Sequence, residues 1–200
     1  MKARIALVAL VLSLVGLSLA QAQDGTPIKV GMTCPMFQNL ETTAGKTVSL
    51  DDFKQDVLVV CITCNHCPAA VAYEDRIIQF AKKHCGPTGK VGLVAINVNN
   101  LEADKMPAMK KRAEDKGFPF IYAYDPSQRI ARNLGATRTP EFFVFNKERK
   151  LVYTGAMDDN MEAGKATTNY VEQACLAVIN GTSAPACTKP VGCGIKFDTK

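Results

Sequence analysis

From Val57 to Ile62 the chain reads Val-Leu-Val-Val-Cys-Ile, an apolar run without polar alternation, which predicts a strand buried on both faces of a parallel or mixed sheet. Directly downstream, Ala70, Tyr73, Ile77, Phe80 and Ala81 recur at helical spacing, Glu74 and Asp75 lie between them, and Gly86-Pro87 stops the helix. Val91 to Val98 reads as a second buried strand, and Lys105 to Lys116 as a helix ended by Gly117. That order makes a βαβ unit. Phe120 to Tyr124 reads as a short strand or extended link, Gln128 to Leu134 as a short helix capped by Gly135, and Glu141 to Phe145 as a strand. The polar turn Asn146 to Lys150 returns the chain along Leu151 to Gly155, a hairpin. Thr167 to Ile179 carries Tyr170, Val171, Ala174, Cys175 and Val178 on one side, which predicts an amphipathic helix closed by Asn180-Gly181. Upstream, Thr42 to Leu50 alternates around Gly45 and predicts a small hairpin. From Thr182 onward Pro185, Pro190, Gly192 and Gly194 predict an irregular cover with no further element. The alternation of helix and strand points to an α/β domain with a central mixed sheet flanked by helices.

The first 22 residues stand apart from this pattern. Lys2 and Arg4 precede an almost wholly apolar stretch from Ile5 to Leu19, and Ala20-Gln21-Ala22 fits a cleavage site. This predicts a secretory signal at 1–22, a domain at 23–181 and a tail at 182–200. The apolar stretch is shorter than the roughly 20 residues that span a bilayer, so stable membrane insertion after cleavage is not expected. Removing 22 of the 200 residues leaves 178, and losing Lys2 and Arg4 takes the formal charge from +5 to +3. That length suits one domain with a real core. So mild a balance, with no basic stripe among aromatics, excludes a nucleic-acid partner. The charged run Lys110 to Lys116 mixes both signs, as a solvated helix face does. Export implies an oxidising compartment, periplasmic or extracellular, for the eight cysteines.

The chemistry concentrates in Cys61-Ile62-Thr63-Cys64-Asn65-His66-Cys67-Pro68. Two thiols three residues apart at a strand-to-helix junction form a candidate redox dithiol. At such a junction, unpaired N–H groups and the positive end of the helix dipole favour a thiolate, predicting an exposed nucleophile of lowered pKa at Cys64 and a partner at Cys67. Cys61 also stands three residues from Cys64, but inside the apolar run, where a thiol behaves as a small hydrophobe. Two roles are open to His66: an imidazolium that stabilises the Cys64 thiolate, or a solvent-facing residue of the first turn. Haem attachment would need His directly after Cys67, where Pro68 stands. Met32, Met36, Met106 and Met109 read as core filler and not as copper ligands. No cofactor and no metal is expected.

The motif order resembles that of a thioredoxin-fold protein of the thioredoxin-like, AhpC/TSA-related redoxin group, over roughly residues 30 to 181. The resemblance rests on Gly31-x-x-x-Pro35-x-Phe37-x-x-Leu40 and Gly45-Lys46-x-Val48-x-Leu50-x-x-Phe53 for an N-terminal hairpin extension. It rests further on Thr63-Cys64-Asn65-His66-Cys67-Pro68 for the active-site turn, Glu74-Asp75-Arg76 for the first helix, and Gly135-Ala136-x-x-Thr139-Pro140 for the segment with a cis-proline. Gly192-Cys193-Gly194-Ile195-Lys196-Phe197 is similar to an ending found in a subset. The resemblance implies that Pro140 is cis beside the dithiol, where its missing N–H leaves an extended partner to pair with neighbouring backbone. Thr63 stands where many thioredoxin relatives have Trp, and the chain has no Trp.

The leading function is an exported thiol-disulfide oxidoreductase in which Cys64 and Cys67 act through a mixed disulfide, with Thr63, Asn65, His66, Pro68, Thr139 and Pro140 in support. Its partners would be protein thiols or disulfides and an electron-donating or electron-accepting redox protein. A thiol peroxidase with Cys64 as the peroxidatic cysteine is the second reading. The P-x-x-x-T-x-x-C pattern of peroxiredoxins is absent, because Val57 and Cys61 occupy those places. A third is a metal-binding protein using Cys61, Cys64, His66 and Cys67. Cys193 is open to two uses, resolving or regulating the dithiol or a structural pair with Cys187 across a short loop, and the pair is favoured because both sit in a tail with little else to fix it. The family fold would set Cys85 and Cys175 on helices over one sheet face, where they could bridge. The pairing of Cys34 and Cys61 is left open.

Overall fold

In a computed structural model that describes residues 27–199, the apolar runs become the middle of a seven-stranded mixed sheet. The expected signal segment 1–22 lies outside the described residues. In chain order the elements are β1 (Leu40–Thr42), β2 (Thr47–Val48), β3 (Val57–Thr63), α1 (Pro68–His84), β4 (Val91–Asn97), α2 (Met106–Lys116), β5 (Ile121–Tyr124) and α3 (Arg129–Leu134). They continue with β6 (Arg138–Thr139), β7 (Glu141–Phe145), β8 (Leu151–Gly155), α4 (Tyr170–Asn180) and β9 (Cys193–Gly194). The sheet order is β2-β1-β5-β4-β3-β7-β8, with β3, β4 and β5 mutually parallel and the remaining pairs antiparallel. The N-terminal hairpin joins this sheet by pairing β1 with β5. No described helix is long and apolar enough to cross a membrane.

Because side chains alternate across a strand, β3 feeds two cores at once. Leu58, Val60 and Ile62 pack with Val94, Ile96, Phe143 and Phe145 under α3 and the N-terminal segments. Val57, Val59 and Cys61 face the other way, against Tyr73, Ile77 and Phe80 of α1, Met109 of α2 and Val171, Ala174 and Cys175 of α4. Burial on both faces is why this run carries no polar alternation. Met109 is core, as the sequence suggests, whereas Met36 is exposed.

Two predicted elements differ. The last helix starts at Tyr170 and not at Thr167, because Asn169 caps it by accepting the Glu172 N–H at 2.9 Å. Thr167 and Thr168 instead give their N–H groups to the Asp159 carboxylate. The tail, expected to hold no further element, contains β9, which pairs antiparallel with β6 in a small second sheet. Arg138 has the partner Gly194 and Thr139 the partner Cys193.

Candidate active site

β3 leaves the sheet at Thr63, and a short turn of Cys64, Asn65 and His66 leads to Cys67, the N-cap of α1, with Pro68 in the first turn. Proline costs no hydrogen bond there, since that N–H is free in any helix. The helix therefore opens at Cys67, and Cys64 sits one turn short of the position that the junction argument assigned to it. Across from them the Thr139–Pro140 bond is cis, as the resemblance implies. Both sulfurs converge on Thr139: Cys64 Sγ lies 3.2 Å from its Oγ1, and the Cys67 thiol donates to its carbonyl oxygen at 3.2 Å. Glu141 shapes this loop from β7, its carboxylate accepting the Thr137 and Arg138 N–H groups at 2.8 and 3.2 Å.

The electrostatics reverse the expected roles. Burial pushes the Cys64 thiol up to about 11, with the Asp104 and Cys67 charges adding to the rise, against hydrogen bonds from Thr139 and the Cys67 backbone. Burial works against Cys67 as well, but there the Cys193 thiol, the Ala70 and Cys193 backbone and the Thr139 side chain outweigh it and bring the pKa below the ordinary thiol value. The readily ionised sulfur is thus Cys67, because hydrogen bonds led by the Cys193 thiol support its charge, whereas burial above all keeps Cys64 protonated. Neither is the exposed nucleophile expected: their relative exposures are 3% for Cys64 and 0% for Cys67. The cover is the tail, whose Cys193 packs on Cys64, Cys67, Ala69 and Ala70.

Asp104, in the turn before α2, is the residue that sequence reasoning missed. It is fully buried and its carboxylate accepts the Asn65 N–H at 2.7 Å and the Asn97 amide at 3.2 Å. His66 Nδ1 closes on the same carboxylate. His66 is therefore neither a solvent-facing residue nor bonded to Cys64 but a partner of Asp104. Asn97 also reaches Tyr122 Oη at 3.2 Å, and Tyr122 donates to Asn65 Oδ1 at 2.8 Å. A polar network from β4 and β5 thus fixes the turn between the two cysteines. Asn97 ends an otherwise apolar strand, which is a readable anomaly; Asp104 offers no local signal.

Cys64, His66 and Asp104 place potential metal-ligating atoms within 4.8 Å of one another. The Asp104 oxygens are already taken by Asn65, Asn97 and His66. Cys61 cannot join them, since it lies in the α1 and α4 core. Cys187 and Cys193 are both free thiols. Thr188, next to Cys187, bonds Tyr153 Oη at 2.7 Å on β8, whereas Cys193 is paired to Thr139. The favoured Cys187 to Cys193 pair is therefore not formed, because the intervening chain crosses from one strand to another. Cys85 and Cys175 share the same core but are free thiols too.

A family model described as Redoxin matches residues 29–173. The chain is a redoxin. Among solved structures, this redoxin is similar to an uncharacterized conserved protein from Geobacillus kaustophilus, with 33% identity, a TM-score of 0.79, and 86% of this chain and 94% of that chain covered. It is also similar to a hypothetical protein from Sinorhizobium meliloti, with 28% identity, a TM-score of 0.78 and coverage of 88% and 98%. A peroxidoxin from Mycobacterium tuberculosis shares the fold at 20% identity and a TM-score of 0.55, with coverage of 68% and 90%. No curated protein matches the chain. Membership places this redoxin among thiol-based redox enzymes of the thioredoxin fold.

Proposed function

We propose that this redoxin is an exported thiol-disulfide oxidoreductase whose working couple is Cys64 and Cys67. The observation that carries the reading is the convergence of both sulfurs on Thr139 beside cis-Pro140. In the oxidised state a partner thiolate attacks Cys64 Sγ and Cys67 departs. Exchange is faster when the leaving thiol has the lower pKa, and Cys67 is the sulfur whose ionised form is supported. In the reverse direction Cys64 forms the mixed disulfide and the Cys67 thiolate releases it. Asp104, Asn97 and Tyr122 hold the intervening turn in place, and Glu141 holds the proline loop. Export rests on the leader at 1–22 and accords with a couple that meets disulfides outside the cytosol.

The test is covalent capture. Cys67→Ser combined with Cys193→Ser leaves no site thiol able to release a mixed disulfide, so this protein is expected to retain extracytoplasmic proteins through Cys64, reversibly by dithiothreitol. Adding Cys64→Ser should abolish the capture. Equal recovery with and without Cys64, or none in either, would overturn the assignment.

A further inference from the structure

The stretch from Gly192 to Asp198 is bound as an extended peptide would be. Its backbone pairs with the edge just before Pro140: Thr139 opposite Cys193, Arg138 opposite Gly194, and the Ile195 N–H given to Thr137 O at 3.1 Å. Arg138 also donates to the Gly192 carbonyl at 2.7 Å. Beyond the strand, Lys196 N–H donates to Asn99 Oδ1 at 2.8 Å, and Gln128 Nε2 to the Lys196 carbonyl at 2.9 Å. Asp198 N–H returns to Gln128 Oε1 at 2.8 Å, and Arg132 stacks over the Phe197 ring at 4.3 Å. Asn99 and Gln128 are buried, so these anchors hold the tail to the body of the domain and not to a passing surface. Gly192 is required for the approach: at φ +156° a Cβ there would stand 2.0 Å from Thr139 O.

What this strand presents is a thiol. Anchored on both sides, Cys193 packs on Cys64 and Cys67 at the register of the one residue that both sulfurs touch. A cover needing only bulk would be met by any small apolar side chain.

We propose that Cys193 is a third redox cysteine, and that β9 is an internal substrate of the site, exchanging a disulfide with Cys67. The proposal rests on the dithiol reading above and extends it. From the Cys64–Cys67 disulfide, the Cys193 thiol loses its proton to solvent and its thiolate attacks Cys67 Sγ. The Cys67–Cys193 bond forms, the Cys64–Cys67 bond breaks, and Cys64 departs as a thiolate that takes up a proton. No electrons enter or leave, and the reverse attack by Cys64 restores the starting pair. The site thus holds one disulfide over three sulfurs.

Cys64→Ser protein, in which the dithiol cannot close, tests this directly. It is reduced, equilibrated with reduced and oxidised glutathione, quenched in acid and mapped by mass spectrometry without reduction. An intramolecular Cys67–Cys193 link is expected to exceed glutathionylated Cys67 by about tenfold or more, since tethering gives Cys193 a high effective concentration. Gly192→Ala in the same background, its fold checked by circular dichroism, should lose that excess. Glutathionylated Cys67 with free Cys193, or a Cys187–Cys193 link, would overturn the proposal. The wild-type chain mapped in parallel separates the two readings. If Cys64–Cys67 closes there but Cys67–Cys193 never forms, the third cysteine fails and the dithiol stands. If Cys67–Cys193 forms while Cys64–Cys67 never closes, the dithiol fails and with it the exchange.

Discussion

Thr139 meets both active-site sulfurs, one through its hydroxyl and one through its carbonyl, yet it does not treat them alike. Cys67 also has the Cys193 thiol and the Ala70 and Cys193 backbone in its favour, while Cys64 has burial and the Asp104 charge against it. Raising the pH of the reduced protein should therefore ionise Cys67 before the ordinary thiol value of 9.0 and Cys64 only at about 11. Rapid alkylation at a series of pH values, read cysteine by cysteine by mass spectrometry, would show Cys67 reacting from a lower pH than Cys64, with the Cys67 onset moved upward in Cys193→Ala. Coincident onsets, or an earlier onset at Cys64, would contradict the geometry. The linkage follows in sign. Cys67, depressed when folded, stabilises the reduced protein above 9.0, an effect lost as pH falls through its folded pKa. Cys64, raised when folded, contributes stability below 9.0 that is lost as pH rises through about 11. The cysteine pair was legible because it is a local motif, and the cis bond at Pro140 was expected only through the family resemblance. The ionisation order was not legible, since the junction rule describes one helix end, whereas Cys64 is decided first by burial under distant segments, with the Asp104 charge adding to it.

Among the elements, β3 and α1 were the easiest to read, because a doubly buried strand and a helical apolar stripe are signals carried by consecutive residues. The start of α4 is set by the Asn169 cap with Asp159 holding the residues before it, a detail that the apolar stripe does not carry, and the pairing of β9 depends on the distant Thr139. The turn between Cys64 and Cys67 is of the same kind: its shape is set by Asn97 on β4, Tyr122 on β5 and Asp104 before α2. Asp104→Ala should strip the acceptor from the Asn65 N–H and from His66, while Asn97 keeps the residue 104 carbonyl and Tyr122 Oη, and cost ~2–4 kcal/mol in urea unfolding. Asp104→Asn, which keeps an acceptor, should recover at least half of that loss. A cost below ~0.5 kcal/mol for the alanine variant would mean that the network is not holding the turn.

On the scale of the whole molecule, two cores share one sheet, and the site lies where β3 and β7 leave it. Phe143, fully buried on the face opposite α1, tests whether the sheet supports the site as one body. Phe143→Ala should cost ~3–5 kcal/mol by chemical denaturation while leaving the Cys64–Cys67 reduction potential of the folded fraction unchanged. A shift in potential would mean that the far core tunes the sulfurs.

The β6 and β9 pairing spans only two residues on each side, and this brevity sets terms for anything that approaches. A guest must outcompete a resident that never diffuses away and whose local concentration is on the order of millimolar. If the proposed exchange acts on polypeptides, a short or compact thiol compound would gain little backbone pairing from displacing the resident, whereas an extended polypeptide would pair past Pro140 in its place. On that reading, a preference for unfolded chains over small metabolites would follow from the length of one strand.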